Sequence, residues 1–166
     1  MAEPVTALSE IARFNRAEKF IAAARQLIGR PYVPCATGAF WPVDCLHVVI
    51  HAGKKIGYLP KDFRAPAYPD EVDPAMWTQF MPEWLDEVEP KNMAHGDIVI
   101  LYEHLMREIP GVPPQPRHCG IIAAVPNPDG HWKWVGVSFQ RDSPVVTEIP
   151  FTRKAQERIY KVYRLR

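Results

Sequence analysis

The chain has 166 residues, 47% of them hydrophobic and 23% charged, with a formal net charge of +1. That length suits one domain over residues 1–166 with an ordinary core. The near-neutral balance gives bulk electrostatics no hold on nucleic acid or on an anionic membrane, and no run of about 18 apolar residues is present to span a bilayer.

In chain order, Met1-Ala2-Glu3-Pro4-Val5-Thr6 has neither a basic n-region nor an apolar h-region. The reading therefore expects no secretory signal and a cytoplasmic site of synthesis. Three cysteines, Cys35, Cys45 and Cys119, are an odd number, which fits a reducing compartment better than a disulfide framework. A short helix is expected at Leu8–Phe14, with Ser9 as a candidate cap. A second is expected at Ala17–Ile28, where Phe20, Ile21, Ala24, Leu27 and Ile28 recur at helical spacing. Gly29 closes it and Arg30-Pro31-Tyr32 turns the chain. After a loop over 33–43, a helix should start at Asp44–Cys45 and run to Lys55 or Ile56. Val48, Val49 and Ala52 face its core side and Gly57 is its stop.

The 18 prolines are roughly twice the usual share of about 5%. They cluster at 60–90 and 110–116, so loop insertions are expected near 61–90 and 103–117. Trp77, Phe80, Met81 and Trp84 make the first an ordered loop without a long regular element. Strands are expected at 97–102, 118–125, 131–140, 145–149 and 159–165. Pro126-Asn127-Pro128-Asp129-Gly130 turns the second strand back onto the third. Helices first and an antiparallel sheet after them make an α+β domain. Residues 61–89 carry eight acids against two bases, and 153–166 carry six bases against one acid. Two solvated faces, or an intramolecular match between them, explain this better than two ligand sites.

Cys45 opens a helix, where the dipole and the free backbone N–H groups favour a thiolate. Such a nucleophile needs a base within reach, close in space but not in sequence. His118 heads an apolar strand beside Gly120, a placement that presents an imidazole at a sheet edge. Taken singly, a cysteine is more often a small core residue and a histidine more often structural.

Five short pieces strengthen the pairing by their order. They are Gly29-Arg30-Pro31-Tyr32, Asp44-Cys45-Leu46-His47, Gly57-Tyr58-Leu59-Pro60, Gly96-Asp97-Ile98-Val99 and His118-Cys119-Gly120-Ile121. Together they resemble the NlpC/P60 family of papain-like cysteine peptidases over residues 17–165. The resemblance implies N-terminal helices packed on a five-stranded antiparallel sheet, Cys45 as nucleophile, His118 as base and Tyr32 near the nucleophile. Asp44, a natural helix cap, would also lie near the substrate, a peptidoglycan stem peptide cut at the bond between γ-D-glutamate and a diamino acid. No metal or cofactor is implied. The order Cys before His fits less well with the permuted lecithin–retinol type acyltransferases. The D-C-L variant, with no export signal and no cell-wall-binding repeat, most resembles the family's phage-tail branch, which implies tail proteins as partners and a place in the virion.

The chain departs from the family pattern twice. Leu46-His47 stands where Ser-Gly is usual, so His47 reshapes the pocket. The third polar residue, usually a histidine on the next strand, is also missing. With the turn centred near Pro128, hairpin register sets Ser138 opposite His118 and puts Gln140 on the same face. Gln140 has the reach to orient the imidazole, with Ser138 lining the pocket, whereas His131 has the opposite parity. His47 and His51 with Cys45 resemble a metal face, but no fourth ligand has suitable spacing. Cys35 reads as a spectator thiol, Cys119 as core, and Trp41, Trp77 and Trp84 as packing rather than a groove. No Gly-rich phosphate loop and no basic–aromatic stripe points to nucleic acid. Two other classes fit the same residues: a tail structural or assembly component with weak or lost catalysis, and a thioester-forming acyltransferase.

Overall fold

The computed structural model describes residues 7–33, 44–66, 75–102, 115–124, 132–138 and 144–166. The first helix, α1, is one piece from Ala7 to Arg25, not the two helices expected from sequence. Nothing between Phe14 and Ala17 breaks the backbone, so Ser9 lies inside the helix rather than capping a separate one. Its outer half leaves Ile11 and Phe14 exposed, and its inner half buries Phe20, Ile21 and Ala24. Burying each of those large side chains contributes roughly 1.5–3 kcal/mol.

Helix α2 spans Cys45–Lys55, as the sequence spacing predicts. It buries Leu46, Val48, Val49 and Ala52 against α1 and the sheet. Lys54 and Lys55 sit in its last turn, where they complement the dipole. Gly57 takes a positive φ of 73° just past the end, a backbone state that side chains rarely adopt.

Six antiparallel strands follow: β1 (Leu85–Val88), β2 (Ile98–Tyr102), β3 (Pro116–Ala124), β4 (Trp132–Ser138), β5 (Val145–Phe151) and β6 (Ile159–Leu165). They lie in the order β1-β6-β2-β3-β4-β5. The sequence predicts five, and the additional strand is β1, inside the proline-rich insertion. It follows a π-helical turn at Met76–Phe80 and the short α3 at Met81–Trp84. A four-residue Leu-Asp-Glu-Val segment has little strand signal of its own. It becomes a strand by pairing with β6, from Leu85 opposite Leu165 to Val88 opposite Val162. Lys161–Glu87 at 2.6 Å and Arg166–Asp86 at 2.9 Å join the same two strands. Part of the acidic stretch is thus matched within the chain by the basic C-terminal one. A short α4 at Arg153–Gln156, capped by Thr152, precedes β6 and was not expected from sequence.

The sheet alternates faces with period two. Ile98, Ile100, Cys119, Ile121, Val135 and Val146 face the core shared with α1 and α2. Val99, Leu101, Ile122, Trp134, Phe151 and Val162 form a second cluster on the far face. Among the described residues no helix is long and apolar enough to cross a membrane.

Candidate active site

The start of α2 is built by Asp44, which is extended and buried at 2% exposure. Its Oδ1 accepts the His47 N–H at 2.8 Å and meets His47 Nδ1 at 2.8 Å. The Val48 N–H returns to the Asp44 carbonyl at 3.2 Å. The N–H groups of Cys45 and Leu46 therefore have no acceptor within the helix or its cap, as expected of a first turn. Cys45 is the first residue of the helix, at the positive end of its dipole.

The Cys45 thiol, 4% exposed, touches β3. Its Sγ lies 3.8 Å from the carbonyl oxygen of Arg117, and side-chain hydrogen bonds join it to Cys119 and to His118. The contacts with Cys119 and His118 lower its pKa to about 5. The bond from Cys119 lowers it most, burial opposes, the hydrogen bond and charge of His118 lower it further, and the Asp44 carboxylate raises it. The Cys119 thiol is pushed well up, first by burial and then by its bond to Cys45. Of the two sulfurs, Cys45 is the one whose surroundings favour the thiolate. The sequence reading placed Cys119 as plain core. It is fully buried, but it also hydrogen-bonds the candidate nucleophile.

His118 reaches the site through an irregularity. Leu101 pairs with His118 and Tyr102 with Pro116, so the register skips Arg117 on β3. A bulge of this kind bends a strand and re-aims the side chains beside it. The ring's Nε2 lies 2.9 Å from the carbonyl oxygen of Val137 on β4. A carbonyl can only accept, so Nε2 carries a proton and Nδ1 is left as the nitrogen for the thiol.

The β3–β4 ladder runs from Ala124–Trp132 to Gly120–Gly136. That register centres the hairpin near residue 128, as expected from sequence, and the ladder ends two residues short of His118 and Ser138. Ser138 pairs with Val145, which bridges Pro31, and the Tyr32 N–H donates to the Pro144 carbonyl at 2.9 Å. Tyr32 thus enters at the end of that row. Asp44, Cys45, His47 and His118 gather where α2 meets β3. Gln140, His131, Cys35 and Trp41 lie outside the described residues. Trp77 is packing, fully buried with its indole N–H donated to the Pro116 carbonyl. Trp84 packs edge-on to Phe63 at 5.1 Å. His51 is half-buried, its pKa lowered by burial and then by Arg30, Lys55 and Lys54. Among the described residues no group of three or more His, Cys, Asp or Glu side chains could hold a metal.

No family model matches the sequence, and no curated protein matches it. Solved structures do. A Staphylococcus aureus protein described as similar to lipoprotein of the NLP/P60 family superposes over 91% of this chain, with a TM-score of 0.56 and 13% identity. The match takes in 41% of that longer chain. The P60 domain of an M. avium paratuberculosis antigen matches 96% of this chain and 99% of its own, with a TM-score of 0.56 and 13% identity. The peptidoglycan hydrolase RipB of Mycobacterium tuberculosis matches 99% of this chain and 72% of its own, with a TM-score of 0.53 and 15% identity. With N-terminal helices packed on an antiparallel sheet, the chain has the NlpC/P60 fold.

Proposed function

We propose that the protein is a cysteine peptidase that hydrolyses peptidoglycan stem peptides through a thioester at Cys45. The observation that carries this reading is the Cys45 thiol at the start of α2, lowered to about 5 and hydrogen-bonded to an imidazole whose far nitrogen is held by the Val137 carbonyl. The structural likeness to RipB, a peptidoglycan hydrolase, supports the substrate class. The finer assignments are the γ-D-glutamyl–diamino acid bond, substrate contacts from Tyr32, Asp44 and His47, and a phage-tail setting.

The chemistry follows from the geometry. The thiolate of Cys45 adds to the scissile carbonyl, and the resulting oxyanion takes hydrogen bonds from the N–H groups at the start of α2. His118, having taken the Cys45 thiol proton at Nδ1 as the sulfur attacks, gives that proton to the leaving amine as the C–N bond breaks, which leaves a thioester. Water then gives a proton to the neutral His118 as it attacks the thioester. As the acid product leaves, the imidazolium returns that proton to the departing sulfur and the thiol is restored.

The test is digestion of purified peptidoglycan with the products read by mass spectrometry, wild type beside Cys45→Ala. New stem-peptide fragments with wild type alone support the reading. Intact muropeptides with both proteins overturn it in favour of an assembly role. Products joined to an added amine, with little free acid, overturn it in favour of acyl transfer.

A further inference from the structure

His118 is held on two sides. One is the Val137 carbonyl. The other is Trp134, whose indole lies 5.3 Å from the imidazole, centroid to centroid, at an interplanar angle of 38°. Trp134 is buried at 4% exposure, on the sheet face away from α1 and α2. It has a seat there. Gly120 on β3 and Gly136 on β4 are cross-strand partners, and the indole lies flat over both. A Cβ built on Gly120 would meet the indole Cζ2 at 2.5 Å, and one on Gly136 would meet its Nε1 at 2.7 Å. No side chain other than hydrogen fits at either position with the ring in place. Phe151 closes the stack from behind, 5.7 Å away and nearly parallel at 14°. The sequence Phe151, Trp134, His118 is therefore one run of rings ending at the imidazole.

We infer that Trp134 is a positioning residue for His118: seated on Gly120 and Gly136 and backed by Phe151, its indole fixes the imidazole plane so that Nε2 meets Val137 and Nδ1 faces Cys45. This rests on the proposed role of His118 as base. A base opposite a thiolate works only in one tautomer and orientation. From sequence, a polar side chain on the next strand is the expected hold. The structure supplies a main-chain acceptor for direction and an aromatic wall for tilt. A ring wall carries no charge and leaves Nδ1 to the thiol alone.

Three variants separate this from simple core packing. Trp134→Leu removes the wall, Gly136→Ala pushes the indole off its seat without deleting it, and Trp134→Phe keeps an aromatic face. The first readout needs no substrate. In a Cys45→Ala background, long-range proton–nitrogen spectra report which His118 nitrogen is protonated. The proton should sit on Nε2 with Trp134 intact and spread over both nitrogens in Trp134→Leu and Gly136→Ala. The second readout is Cys45 alkylation by iodoacetamide at neutral pH, which should slow by about tenfold in those two variants and less in Trp134→Phe. The third is turnover of a stem peptide, where kcat should fall by about tenfold or more with KM little changed. Wild-type His118 spectra and alkylation in a folded Trp134→Leu protein overturn the inference. If that variant fails to fold, the same result in Gly136→Ala overturns it. Absence of peptide cleavage by the wild type removes the proposed function, while the spectra and alkylation rates still decide the role of Trp134.

Discussion

Nε2 of His118 lies 2.9 Å from the carbonyl oxygen of Val137, so a main-chain atom orients the imidazole of the candidate pair. Side-chain substitution cannot delete that acceptor. With that acceptor in place, the imidazole does not depend on a polar side chain alone for its orientation. Gln140→Ala is expected to lower kcat by less than about tenfold, because loss of a sole orienting group costs on the order of 10⁴. Steady-state kinetics on a defined stem peptide checks this. A fall of a thousandfold would make Gln140 the principal partner of His118.

Asp44 has two effects on α2 that substitution can separate. Its carboxylate caps the helix and raises the Cys45 pKa. Asn keeps a cap oxygen but drops the charge. In Asp44→Asn the inflection of Cys45 alkylation with pH should therefore move to lower pH, with the melting temperature nearly kept. In Asp44→Ala the cap is lost as well, at a cost of about 1 kcal/mol. An upward move of the inflection in Asp44→Asn would contradict the assigned sign.

Away from the site, Asp97 is buried at 1% exposure and bound at both oxygens. Arg164 donates to Oδ1 and Oδ2 at 2.8 Å each, and the Ala94 N–H donates to Oδ2 at 2.7 Å. Arg164→Leu leaves that carboxylate buried without its cation, at a cost of about 3–5 kcal/mol. In a chain of this size the melting temperature should fall on the order of 10 °C. Adding Asp97→Asn to the variant should recover part of the loss. Thermal unfolding followed by circular dichroism reads both effects, and a single variant that melts with the wild type would refute the account.

What the sequence made legible follows local rules. Cys45 at a capped helix start was readable because Asp44 and the periodic apolar face lie within one turn of each other. The register of the β3–β4 hairpin is readable because one proline-rich turn fixes it. Strand β1 was not, since Leu85–Val88 is extended only through pairing with the far end of the chain. The Arg117 bulge was not, because it depends on how β2 and β3 slip past each other. The Val137 carbonyl was invisible for a simpler reason: every residue has one, so its identity as an acceptor carries no side-chain signal. Trp134 lies within the 131–140 strand with no signal of its own in the sequence, and only the two glycines facing each other across β3 and β4 reveal its seat.

The last prediction concerns Cys119, the largest contributor to the lowered Cys45 pKa. A thiol that donates to a thiolate stabilises the charged form, so removing the donor raises the pKa of the acceptor. Cys119→Val keeps a buried apolar side chain but has no proton to give. Below its pKa a thiol loses alkylation rate about tenfold per pH unit, because only the thiolate reacts. Wild-type Cys45 should therefore alkylate at full rate down to mildly acid pH and lose rate as the pH falls through about 5. In Cys119→Val the same fall should begin at higher pH, since burial still opposes the thiolate and, of the neighbouring side chains, only His118 still favours it. Cys119→Ser keeps a donor and should lie between the two. Mass spectrometry of the labelled protein must also show Cys45 modified first, because the Cys119 pKa is raised and the residue is fully buried. If Cys119→Val and wild type share one inflection, the dipole of α2 and His118 set the Cys45 pKa without Cys119. If Cys119 is labelled ahead of Cys45, the assignment of thiolate and donor is reversed.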